Sequence, residues 1–549
     1  MRVSSVRRVV MCLALAACTP TKPPVRPLPP MSSSAYAYYL DGKLAAYRSD
    51  WDAAVDSLRE AMKAAPDQPM IAVELARALS KAKKDVAARE TLAQARTKWP
   101  DHPQVWRVSG DLLASSAKPE AIRAYQRAIR LSPDDEEAYL GLAKLQSPAD
   151  AEATLRELVA KLPASVEGHY RLAVRRYKKG QLPQAISSLR KVLELDPDHL
   201  DARLDLARAL RRTGELAKAI EQTRSAFDRS GQALDIAEEL FWLLCEADDR
   251  TAAIDLLTLL DDERSDVDAL SAVARFERGL GRLEQARAIA DRVAIVEPEA
   301  GVLLHAEIDA HTDPAGVTKK LLAIPADSPR FGDARRLAAS TLLATGDAAR
   351  ALAAITPARE ANPKDLELAL VALYARADTG DVAGAKARAA ALGSGLGPTI
   401  VRARVLDHVG DSDGALALLE KLLVEHPDST TVLNFAGYIL ADGNRRLADA
   451  HKWLAHAREL SPGDPAILDS WGWLLVRQGK AREAVRILDR AARFSPREPE
   501  ILFHLAAAWA ADGAPETART ILDRASALHP TPAVQKRIDA LRATLPAPR

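Results

Sequence analysis

Cys18 is the residue whose type and position most directly suggest chemistry. It follows Leu15-Ala16-Ala17, which close an apolar run from Val9 to Leu15 preceded by Arg2, Arg7 and Arg8. A basic start, an apolar stretch and then small residues read as a secretory signal. The run is far shorter than the about 20 residues a membrane span requires. Of three cysteines, Cys12 would leave with such a signal, so Cys245 is the one thiol left in the folded part. No intrachain disulfide is then available, even in an oxidising compartment. Cys245 ends the apolar run Leu240-Phe241-Trp242-Leu243-Leu244 and reads as a buried structural thiol.

Other reactive constellations are missing. There is no HExxH, GxSxG, Walker loop or Cys-x-x-Cys in the chain. His451 and His456 lie five residues apart, a spacing that does not share one helix face, and His102, His199, His426 and His529 stand within two residues of prolines. Carboxylates gather at helix starts, as in Asp134-Asp135-Glu136-Glu137, where they complement the helix dipole. The run Gly393-Ser394-Gly395-Leu396-Gly397-Pro398 lacks the Lys-Ser/Thr of a phosphate loop and reads as an inter-helix loop. No catalytic residue, metal ligand or cofactor is assigned, and no enzyme is expected. Acid–base pairs drawn from distant segments would be invisible at this level.

The elements that would position a site are helices. Ala, Leu and Arg dominate the 549 residues, aromatics make up 5%, and continuous β-branched runs are missing. The net charge is +1, and losing Arg2, Arg7 and Arg8 leaves −2, which offers no footprint for nucleic acid. Residues 19–34, TPTKPPVRPLPPMSSS, contain six prolines and cannot be helical. As an extended polyproline tether at ~3.1 Å per residue they reach about 50 Å. Beyond Ser34 a pattern recurs with a period of 34. In Pro465–Glu498 it places Leu468, Trp471, Gly472 and Leu475 on a first helix, Gly479 at a turn, and Ala484, Leu488 and Ala491 on a second. The next unit repeats it with Leu505, Ala506, Gly513, Ala518, Leu522 and Ala525, and prolines close the units at Pro496 and Pro530.

This spacing, in which residue size and position recur together, resembles the tetratricopeptide repeat (TPR). The expected fold is an all-α helix-turn-helix solenoid of about fifteen helix pairs, two of them degenerate, ending in a capping helix. The expected organisation is a signal over 1–17, lipidated cysteine and tether over 18–34, and an N-terminal array over 35–300. A degenerate repeat or hinge follows over 301–331, then a C-terminal array over 332–532 and a cap and tail over 533–549. Tyr36, Tyr38, Tyr39 and Tyr47 on the first helix would cap the solenoid's open face or sit near a membrane interface.

TPR arrays resemble one another in binding proteins on the inner face of their first helices. Here the inner-face candidates are Asn434, Tyr438, Asp469, Trp473, Arg477 and Phe503, a mixture of aromatic, acidic and basic groups typical of interface hot spots. The alternative is that the aromatics pack against the next repeat. A second candidate patch joins Tyr170 and Tyr177 to Arg208 and Arg211, suited to an acidic segment or a C-terminal carboxylate. Its alternative is that these cations complement helix C-termini.

The signal with Leu15-Ala16-Ala17-Cys18 resembles that of bacterial lipoproteins. In that family the peptide is cut before the cysteine, the thiol receives a diacylglycerol, and the new amino group takes a fatty acyl chain such as palmitate. The other reading is an ordinary signal cut elsewhere. Leu433-Asn434, Gly437-Tyr438, Leu440-Ala441-Asp442 and Ala466–Ser470 with Gly472-Trp473 resemble motifs of TPR outer-membrane lipoproteins of Gram-negative bacteria. Some of those act as adaptors for a periplasmic C-terminal-processing protease and its cell-wall hydrolase substrates. The resemblance implies a lipid-anchored protein-binding scaffold facing the periplasm, and Thr19 after the cysteine favours the outer membrane. The alternative is a structural subunit of an export, polysaccharide-secretion or pilus machine.

Overall fold

The computed structural model describes residues 30–263 and 266–546, so Cys18 and most of the tether lie outside the described residues. The described residues form 31 helices and no strand. They run as fifteen antiparallel pairs followed by a last helix, Pro532–Thr544, the solenoid that the 34-residue period predicts. The chain divides into two compact units, Met1–Pro197 and Asp198–Arg549. Residues 301–331, expected as a degenerate repeat or hinge, lie inside the second unit. There Pro298–Asp309 pairs with a nine-residue helix, Pro314–Leu322.

Close approach within each pair explains the recurring small residues. A Cβ built on Gly472 would lie 2.4 Å from Leu488 Cγ, and one on Gly437 would lie 2.5 Å from Leu454 Cγ. The alanine early in each second helix, from Ala54 through Ala484 to Ala518, has no exposed surface at these three positions. Between the helices the chain turns through a left-handed residue. Glycine takes it at Gly479 (φ +74°) and Gly513 (φ +86°), while Ser49, Lys83 and Asp248 take it elsewhere without glycine's freedom. First helices often begin with a cap and a proline: the Asp464 carboxylate accepts from the Ala466 and Ile467 amides, with Pro465 following. The Gly393–Pro398 run is an inter-helix loop, with Gly393 and Gly395 both at positive φ.

The first unit opens with Ser33–Tyr47 packed on Trp51–Ala64. Tyr39 packs against the first apolar cluster. Tyr36, Tyr38 and Tyr47, with Leu40 and Leu44, are exposed instead, Tyr47 by 89%. Tyr36, Leu40, Leu44 and Tyr47 share one helix face by their spacing. No described helix is long and apolar enough to cross a membrane.

The second unit winds far enough to touch itself. Arg211 donates to the Leu460 carbonyl at 2.8 Å, Arg490 to the Cys245 carbonyl at 3.3 Å, and Arg493 to the Asp248 carboxylate at 2.8 Å. These partners stand 245 to 249 residues apart, about seven repeats. Phe494 enters the same buried cluster as Leu244 and Leu280. Cys245 is fully buried there, and burial pushes its thiol pKa up, as expected of a structural cysteine. Beside this seam Glu277 is 2% exposed and pairs with Arg282 at 3.1 Å. Burial raises its carboxyl to about 7, more than Arg282 lowers it.

Two outcomes follow. Gly472→Ala should destabilise the protein by about 1–3 kcal/mol, read from urea unfolding, because Leu488 has to move. The folded carboxyl of Glu277 lies above its unfolded value, so its contribution is full at low pH and is lost as pH rises through about 7. Urea midpoints at pH 5 and pH 8 should therefore fall more for the parent than for Glu277→Gln.

A closed aromatic and ionic cluster with an acidic cavity beside it

The six C-terminal candidates lie on three consecutive first helices, Thr430–Asp442, Pro465–Arg477 and Pro499–Ala511. Asp469, Trp473, Tyr438 and Phe503 converge, and a residue outside the predicted set completes them. Arg537, on the terminal helix Pro532–Thr544, reaches back over all three. Its guanidinium donates to Asp442 Oδ1 and Glu500 Oε1, each at 3.0 Å, and to His504 Nε2 at 3.2 Å. It also lies 4.6 Å from the Phe503 ring centroid and 5.6 Å from that of Trp473. Burial by itself would weaken the Arg537 charge, but Tyr438, Asp442 and Glu500 outweigh it and hold its pKa above the ordinary arginine value.

The proton positions follow from the donors. Arginine only donates, so His504 Nε2 accepts and its Nδ1 carries the proton, donated to Asp469 at 2.9 Å. His504 is completely buried and stacks on Trp473 with ring centroids 4.3 Å apart. Trp473 Nε1 donates to Asp442 Oδ1 at 3.0 Å, and the Tyr438 hydroxyl donates to Glu500 at 2.7 Å. Burial first, then Glu500 and Asp442, pushes the Tyr438 hydroxyl pKa well up.

This geometry separates the groove candidates. Trp473, Phe503 and Asp469 are each at most 7% exposed, so their surfaces are spent inside the chain. The packing alternative is the one the structure holds for these three. Arg477 lies over Trp473 and donates to the carbonyls of Ala441 and Asp442, tying one first helix to the previous one. Asn434 differs: its Oδ1 is buried and accepts no hydrogen bond.

What stays open is a cavity of about 410 Å³ beside the cluster, lined by Asp407, Asp411, Asp413, Tyr438, Asp442 and Arg445. It lies at the C-terminal ends of Leu396–His408 and Thr430–Asp442, where helix dipoles add to the negative charge. Lys386 and Arg445 pair with Asp411 and Asp413. Asp407 is held above the usual carboxylate range by burial, with Asp442 and Glu500 adding to it.

The upstream candidates fall on two helices of different units. Tyr170 and Tyr177 lie on Val166–Lys178 in the first unit, and Arg208 and Arg211 on Leu200–Arg212 in the second. Arg208 is held by Glu239 at 2.9 and 3.0 Å, and Arg211 by the seam carbonyl of Leu460. No group of three or more His, Cys, Asp or Glu among the described residues is arranged to hold a metal ion. Sequence reading missed His504 and Arg537, although the signal was there. Arg537 stands 34 residues after Phe503, as Phe503 does after Asp469, and so repeats the inner-face position.

Comparison with known proteins bears on the repeat. A tetratricopeptide repeat profile matches residues 45–112, 176–229 and 475–545, a TPR repeat profile residues 118–147, and a further tetratricopeptide repeat profile residues 400–465. Together these span more than half of the chain. The TPR repeat-containing protein PA4667 of Pseudomonas aeruginosa is 44% identical over 80 residues, which is 14% of this chain and 14% of that protein. Among solved structures, Naa15/Naa10 bound to HypK-THB covers 93% of this chain and 96% of its own at 15% identity, with a TM-score of 0.30. The Pseudomonas aeruginosa pilF structure covers 37% and 96% at 16% identity (TM-score 0.32). YrrB, a TPR protein with an unusual peptide-binding site, covers 34% and 98% at 17% identity (TM-score 0.28).

Trp473→Ala should cost about 3–5 kcal/mol of stability, as removal of a buried aromatic does. Arg537→Ala should cost less, about 1–3 kcal/mol, and free the terminal helix for proteolysis. Unfolding curves and limited digestion read both.

Proposed function

Since the chain belongs to the tetratricopeptide repeat family, we propose that it is a non-catalytic protein-binding scaffold, lipid-anchored through Cys18 at the outer membrane and facing the periplasm. Tetratricopeptide repeats generally serve as scaffolds for protein partners. The observation that carries the reading is the open acidic cavity beside Tyr438 and Asp442, on a face whose neighbouring groups are already satisfied within the chain. It fits a basic side chain from a partner. The partner class this favours is a soluble periplasmic enzyme, such as a C-terminal-processing protease or a cell-wall hydrolase, brought to the membrane by the array. The anchor rests on the Cys18 signal. The exposed tyrosine and leucine face of Ser33–Tyr47, the first helix after the tether, is consistent with a position near lipid.

Two measurements test this. Cys18→Ser should abolish labelling by palmitate and move the protein from the membrane to the soluble fraction. Capture of partners from detergent-solubilised envelope, read by mass spectrometry, should retain a soluble protease or hydrolase. Asp413→Lys, at an exposed position of the cavity, should reduce that capture about tenfold or more. Retention of integral outer-membrane or secretion proteins instead would make the chain a subunit of an envelope machine.

A further inference from the structure

A second cavity, of about 410 Å³, lies in the seam where the second unit touches itself. Residues from both sides line it: Arg250 and Gly281 from one, and Asp489, Arg493, Arg497 and Arg524 from the other. Four arginines thus line a space that one lining aspartate shares. Arg493 pairs with Asp489 and with Asp248, each at 2.8 Å. Arg250 donates to two neutral backbone carbonyls, those of Arg493 and Leu280. Arg497 Nη2 is buried without a hydrogen-bond partner, and so is Arg278 Nε. Burial lowers the Arg497 pKa, and the charges of Arg278 and Arg287 lower it further, more than Asp309 and Glu498 restore it.

A cluster of guanidiniums that includes the half-buried Arg250 and Arg497, the latter with a buried unused N–H group, is costly unless an anion joins it. Their planar forks match phosphate and carboxylate oxygens in pairs. The volume is that of a small-molecule site and much larger than a single water needs. We propose that the seam cavity binds a small multivalent oxyanion, a phosphate- or carboxylate-bearing molecule, which bridges the two superhelical turns. Because the ligand contacts both sides, its binding closes the seam and stabilises the second unit.

The test uses the full chain in a chloride buffer, with inorganic phosphate, pyrophosphate and citrate added at matched ionic strength. Calorimetry should give saturable binding of at least one of the three, and the same anion should raise Tm above the chloride control. Arg497→Gln and Arg524→Gln should each weaken the affinity tenfold or more, and Arg497→Lys, which keeps the charge and loses the fork, by less. Arg486→Gln, on an exposed position outside the cavity, should leave it unchanged. Far-UV circular dichroism establishes that each variant is folded. Binding of phosphate and pyrophosphate without citrate assigns the phosphate class, and the reverse the carboxylate class. Absence of saturable binding by all three anions would overturn the proposal. So would equal affinity in a folded Arg497→Gln/Arg524→Gln double variant.

Discussion

A pair of helices in a 34-residue unit cannot bury its own apolar surface, and everything else in this protein depends on that shortfall. Each pair has to lean on the next, and the two helices within a pair have to approach closely enough to leave a common face for the neighbour. Leu488 occupies the space a Cβ on Gly472 would need, and Leu454 does the same at Gly437. The small residues are therefore set by distance, and the left-handed turn is what returns the chain at that distance. The same requirement recurs down the array, so the open ends are the places where it is not met. The terminal helix meets it at one end, whereas Ser33–Tyr47 leaves an aromatic and aliphatic face uncovered at the other.

The repeat made the fold legible because its signals are local. Alanine, proline and glycine marks all fall within one period, and together they gave the number of helix pairs. Where the turn residue is Ser49, Lys83 or Asp248, the glycine mark disappears while the left-handed conformation persists, because packing of the two flanking helices over-determines it. Residues 301–331 lost their marks for a related reason. A nine-residue second helix still packs, through Val317 and Leu321, with less of the pattern.

The candidate site was legible only in part. Periodicity placed Tyr438, Asp469, Trp473 and Phe503 on one side of their helices, and they do converge. It could not tell an inner face open to a partner from one closed by the chain itself, since that depends on Arg537, 95 residues beyond Asp442. A guanidinium between two aromatic rings and two carboxylates is a long-range arrangement with no local composition signal. The seam is less legible still. Its bonds join residues about seven repeats apart, and the arginines that make them read in sequence as ordinary helix-end cations. Arg208 and Arg211 show how one local preference, a cation near a helix C-terminus, serves two different ends: a bidentate carboxylate pair and a tie to a distant carbonyl.

The seam changes what kind of mechanical object the second unit is. An open solenoid behaves as a soft spring, because each repeat touches only its neighbours and small rotations add along the array. Bonds from Arg211, Arg490 and Arg493 across successive coils place a second set of connections in parallel with the first. Under tension the coil is stiff until those ties part, and compliant afterwards. Its length under load thus has a threshold, set by a few side-chain contacts and not by the stability of any single repeat.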